Sequence, residues 1–359
     1  MGRLARPRRG PTADRPAAGR QPDGGATPLA RRPHSAYLLS HPRPPLRDAI
    51  ARQVIRLVGR RSEDTPFLVS TADAGLFGPD SASWRVHGDF TAMMIGGTAA
   101  LLLQMLHPRA LAGVWDHSNF REDMFGRLRR TARFIAGTTY GSVDEAAAMI
   151  AHVQMIHDKV AGTLPDGTPY SANDPDLLTW IHVAEVSSFL AAHLRYRNPG
   201  FPAADQDRYY AESALIAERL GAAGVPKSRA AVAAYLEAVR PELAYDHRTR
   251  EVAAALLGQK APAPAMAAFV GLVFEAAQDL LPPWAQRMHG LAPKPVTAPA
   301  VRAAARSLGV VLRWALQDGV EARARRRAAE LGLRPAPPRP GNQSAKAKVV
   351  RGEHEGDPP

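Results

Sequence analysis

The sequence predicts an all-α fold, on three observations. From position 47 to about 333 the chain is a succession of segments rich in Ala, Leu, Arg and Glu, 45% of the whole being hydrophobic. These segments are separated by short stretches containing Pro and Gly, and almost nowhere does a run of strict apolar–polar alternation call for a strand. The same region lacks any long polar linker, so a single large domain over 46–333 is expected, flanked by tails at 1–45 and 334–359.

Each element has its own warrant. In 46–60 (LRDAIARQVIRLVGR) Ile50, Val54, Leu57 and Val58 form one stripe opposite arginines, the pattern of an amphipathic surface helix. Segment 89–106 (DFTAMMIGGTAALLLQML) is apolar nearly all round, as a helix inside a bundle must be, and His107-Pro108 ends it. Gly96 and Gly97 sacrifice helix propensity there, either for close packing against another helix or to admit a flat ligand. The basic run 127–133 (RLRRTAR) spans two helical turns. Arg127, Arg130 and Thr131 form one row on it, able to face a cavity, while Arg129 and Arg133 form another.

Ser142 followed by Glu145 is a capping-box pattern and starts a helix that should run from Val143 to about Val160. Asp174 as N-cap and Pro175 at the first helical position start the next, to about Arg197, with Pro199 as its stop. Further helices are expected at 205–221, 226–239, 246–258, 264–281 and 298–331.

Charge and composition narrow the function classes. The net charge of +12 suggests a nucleic-acid partner until it is located: residues 1–45 carry +7 and 334–359 carry +2, leaving +3 for the body. The tails also hold 15 of the 32 prolines and no apolar stretch able to fold alone, so both are expected to be disordered. No specific nucleic-acid partner is expected. Twin arginines at Arg8-Arg9 and Arg31-Arg32 are not followed by a signal-length apolar run, and no run of 18 apolar residues marks a transmembrane segment. With no cysteine, disulfide scaffolds, thiolate-ligated metals and Fe–S clusters are excluded, and a cytoplasmic location is the simplest expectation.

Histidine is the informative residue type, since seven of the twelve lie between 87 and 193. On the capped helix His157 shares a face with Ile150, Val153 and Val160, whereas His152 points about 140° away, so the two cannot hold one metal. An inward imidazole of this kind is either a satisfied core histidine or a ligand, and as a ligand it suits one axial position of a haem. On the following helix His182, Glu185, Val186, Phe189 and His193 share a face, with Glu185 placed to hold the His182 tautomer. No nucleophile elbow and no Gly-rich phosphate loop is present.

Several segments together resemble the catalytic domain shared by MpaB-type oxygenases and the rubber oxygenase (latex-clearing protein). They are WRVHGD at 84–89, GTAALLLQMLHP at 97–108, GVWDHS at 113–118, RLRRT at 127–131, MIH at 155–157, and PYSANDP at 169–175 followed by WIH at 180–182. The resemblance implies an all-α domain holding haem b, with His157 at the position of the proximal iron ligand. It also implies that Arg127, Arg130 and Thr131 stand on the distal, catalytic side, with Arg130 where the rubber oxygenase has lysine. A guanidinium keeps its proton and has no lone pair, so capping of iron by this residue is not expected. The implied partners are dioxygen and a small apolar or lipid-like substrate. Two other readings stay open from the residues: a non-catalytic helical scaffold that binds partners through its basic tails, and a non-haem metal site built from His107, His117, His182 and Glu185.

Overall fold

A computed structural model describes residues 45–58, 73–261, 263–292 and 294–333, and the expectations for the tails at 1–44 and 334–359 lie outside them. The described residues form fourteen α-helices and one two-stranded hairpin. The first half comprises α1 (Pro45–Val58), α2 (Ala82–His87), α3 (Phe90–Gln104), α4 (Pro108–His117), α5 (Met124–Tyr140) and α6 (Val143–His157). After the antiparallel hairpin β1 (Ala161–Thr163) and β2 (Pro169–Ser171) come α7 (Pro175–Tyr196), α8 (Ala203–Leu220), α9 (Arg229–Ala238) and α10 (His247–Leu257). Finally α11 (Ala267–Leu280), α12 (Pro283–Met288), α13 (Ala298–Ala315) and α14 (Val320–Glu330) complete the chain, with 3₁₀ turns at Arg240–Glu242 and Pro264–Met266.

Helices α3 and α7 pack along each other at the centre, with α11 and α13 against α3, and α8 beside α7. Both are apolar on most sides, as central position requires. Ile95, Leu102, Leu103 and Leu106 from the α3 region meet Trp180 and Ala184 of α7 in the main core, all essentially without exposed surface. Among the described residues α7 alone is, by itself, long and apolar enough to cross a bilayer. Two-thirds of that stretch is buried within the protein, the burial of a core helix.

Local signals set the starts. Asp89 caps α3 by accepting from Ala92 N at 2.8 Å, and its other oxygen accepts from Arg313 of α13 at 2.6 Å, so one buried carboxylate fixes two helices. Ser142 and Glu145 form the full capping box of α6. Asp174 accepts from the amides of Asp176 and Leu177 at the start of α7.

Several expected boundaries moved, two of them for visible reasons. Helix α6 stops at His157, three residues early, because Val160 O accepts from Ala172 N at 2.8 Å and the chain turns into the hairpin. The expected helix at 298–331 is two. The chain leaves the helix at Leu316, and α14 folds back so that Ala324 and Ala328 pack on Trp84 and Tyr140. That pair is itself cross-linked: Trp84 Nε1 donates to Thr139 O at 2.8 Å and Tyr140 Oη donates to Trp84 O at 3.0 Å, joining α2 to α5.

Candidate active site

Helix α7 carries three ionisable side chains into the interior. His182 is buried with no partner for Nε2, and desolvation pushes its pKa down to about 4. His193, three turns further on, makes no well-formed ring hydrogen bond and is likewise lowered to about 4, mainly by burial, with the Val86 backbone pulling weakly the other way. Glu185 between them is pushed up to about 7 by burial. No hydrogen bond joins Glu185 to His182, so the expected tautomer lock does not form.

Opposite α7 stands His87, the last residue of α2. Its Nδ1 lies 2.9 Å from Thr139 Oγ1 of α5 and its Nε2 2.9 Å from Tyr209 Oη of α8. Phe189 of α7 meets the imidazole edge to face at 5.3 Å. Burial first, then the neighbouring His193 and His182, lower its pKa to about 3, so the ring is neutral and one nitrogen donates while the other accepts. Sequence reasoning did not single out Tyr209 or Thr139. They lie 122 and 52 residues from His87, and no local pattern marks such a pairing.

The two helical glycines of α3 have different jobs. A Cβ on Gly96 would lie 3.0 Å from Ser188 O and from Phe189 Cδ1, so this glycine lets α3 and α7 touch backbone to backbone. A Cβ on Gly97 would meet only Phe189 Cε1, at 3.6 Å, which leaves space beside that ring. Glu185 and His87 are the part-buried members of this group, and His182 and His193 the buried ones.

Helix α5 is capped by Asp123, whose carboxylate accepts from Gly126 N at 2.7 Å. One turn on, Arg127 projects into a narrow cavity of about 40 Å³ whose walls include Leu101, Met105, Ile181, Val252 and Leu256, with Gln104 as the other polar side chain. Its partner in hydrogen bonding is the Ser118 hydroxyl, at 3.5 Å. Burial, with Arg130 nearby, lowers its pKa to about 10. The predicted row divides here: Arg130 is turned outward, its side chain 64% exposed and 3.5 Å from Asp123, so it does not face the cavity. The physical reason is that carboxylate, which sits seven residues back, two turns along the helix, and also draws Arg129. Thr131 stays half-buried.

His157 lies on the inward side of α6 with Ala146, Ile150 and Val153, and His152 is exposed on the other side. Its Nδ1 has neither surface nor partner, and burial lowers its pKa against the opposing pull of Asp158. The alternative metal set is scattered. His107 is 3.6 Å from Glu242 and His117 is 3.2 Å from Tyr170 Oη, and among the described residues no three His, Asp or Glu side chains converge on one point.

The described residues thus hold buried imidazoles whose pKa values are lowered by burial, a carboxyl raised to about 7, and, at a separate cavity, a part-buried guanidinium. Residues 84–314 match the family model described as ER-bound oxygenase mpaB/B'/rubber oxygenase, catalytic domain. No curated protein and no solved structure matches the chain.

Proposed function

The chain belongs to the mpaB/rubber oxygenase catalytic-domain family, an oxygenase-type domain, and from that premise we propose that it is a haem b-dependent oxidoreductase using dioxygen on a small apolar or lipid-like substrate. The observation that carries the proposal is His157. It is a part-buried imidazole on the inward face of α6, its pKa lowered by burial, at the position that the family resemblance gives the iron ligand. A metal-binding imidazole must be neutral, and burial favours the neutral ring.

His157 is the residue that would hold such a group, through a ring nitrogen. Bound haem would supply the oxygen chemistry, and the protein the ligation, the dry surroundings and substrate placement. Arg127 and Thr131 of α5 would stand on the substrate side, where the guanidinium donates hydrogen bonds to an anionic or strongly polarised oxygen. Arg130, at the surface, has no part in this reading. His87, held by Thr139 and Tyr209, is a positioning group that fixes α2, α5 and α8 around the interior.

The proposal is tested by producing the full chain with haem precursor supplied, recording its visible spectrum, and measuring dioxygen uptake with a panel of apolar and amphipathic substrates. A haem spectrum with substrate-dependent uptake is expected. A colourless protein that takes up no dioxygen overturns the reading. The dispersal of His107, His117, His182 and Glu185 gives the non-haem metal alternative no support.

A further inference from the structure

Arg127 poses a problem the fold does not solve by itself. A guanidinium stays protonated inside a protein, and a buried charge without a counter-charge is strongly unfavourable. Around Arg127 the walls include Leu101, Met105, Ile181, Val252 and Leu256 with the neutral Gln104, its hydrogen bond to Ser118 Oγ is long at 3.5 Å, and the charged neighbour that shifts it is another cation, Arg130. Asp123, the nearest carboxylate along the helix, is spent on Arg129, Arg130 and the Gly126 amide. No carboxylate pairs with Arg127 among the described residues.

We propose that the cavity beside Arg127 binds the carboxylate of an amphipathic monoacid, its hydrocarbon chain lying along the apolar walls and its head group on the guanidinium. One part-buried cation in a cavity whose other walls are apolar apart from the neutral Gln104 selects that class. An alcohol, ester or hydrocarbon of the same length would satisfy the walls but leave the charge unpaired, and a dianion would bring a second charge with nothing to meet it. At about 40 Å³ the cavity takes the head group and the first carbons of the chain, the remainder extending beyond it. This inference deepens the oxygenase reading by giving the lipid-like substrate an acidic head, and rests on that reading for the reaction but not for the binding.

The test compares laurate, 1-dodecanol and methyl laurate, titrated calorimetrically into the full chain as purified, with haem content measured on the same samples. Laurate should bind roughly ten- to a hundredfold more tightly than either neutral analogue, the ratio expected of a charge-assisted hydrogen-bonded pair. Arg127→Met should abolish that preference and Arg127→Lys should retain part of it. Equal binding of laurate and dodecanol by the wild type overturns the proposal, and needs no variant to fold. So does a preference that survives Arg127→Met. Loss of haem in Arg127→Met, with no laurate preference in the wild type, assigns the guanidinium to a cofactor carboxylate and also overturns it. A laurate preference in a colourless protein supports this site while refuting the haem reading, so the two failures are distinguishable.

Discussion

Replacing Glu185 with Gln should make the protein more stable at neutral pH, and the size of the effect follows from its surroundings. Burial raises this carboxyl from 4.5 to about 7. A raised carboxyl pKa means that the folded state holds the proton more tightly than the unfolded chain. The protonated form is therefore fully favourable below pH 4.5, and stability is lost progressively as pH rises toward about 7, where ionisation in the folded state is complete enough for the loss to level off. At roughly 1.4 kcal/mol per decade the gap corresponds to about 3 kcal/mol, or a shift of the order of 5 °C in midpoint for a domain of this size.

Glutamine mimics the neutral carboxyl without titrating. Thermal unfolding of wild type and Glu185→Gln from pH 4.5 to 8 should thus give curves that coincide at the acid end and separate up to about pH 7. Comparing the two proteins matters because His87, His182 and His193, lowered to about 3, 4 and 4, destabilise the fold as pH falls below 6.5, and they do so equally in both. A pH-independent difference, or a wild type more stable than the variant at pH 8, would show that the carboxylate is paired and would refute the reasoning.

Other expectations concern packing, caps and orientation. Gly96→Ala should destabilise by about 1–3 kcal/mol because its new methyl meets the α7 backbone, while Gly97→Ala, with only ordinary contact at 3.6 Å, should be neutral or slightly stabilising in chemical denaturation. Ser142→Ala should cost about 1 kcal/mol through loss of the α6 cap, with Ser142→Gly milder. Arg130→Ala should change the unfolding midpoint by no more than the equivalent of about 0.5 kcal/mol, since its ion pair with Asp123 is exposed.

What the sequence made legible was whatever is decided within a few residues. The caps at Ser142 and Asp174 and the all-round apolar character of α3 are local or periodic facts, and the structure has them. The break between α13 and α14 is not local. It is set by Ala324 and Ala328 docking on Trp84 and Tyr140, some 180 or more residues away, against a segment whose own propensity would continue as helix. The hairpin escaped notice for another reason: each strand has three residues, too few for alternation to register.

In the site the same division holds. Periodicity turns His157 inward and His152 outward, and their burial agrees. It cannot separate Arg127 from Arg130, which differ by three residues and occupy adjoining positions on the helix, because the separation is made by the side chain of Asp123. Nor can it bring His87 to Tyr209, a contact made by folding alone.

Haem ligation by His157 is tested most directly by the haem stoichiometry and Soret absorbance of the full chain beside His157→Ala, both produced with haem precursor. About one haem per chain is expected in the wild type, with the Soret band lost or shifted and the stoichiometry falling in the variant. An unchanged band and stoichiometry in His157→Ala would contradict it.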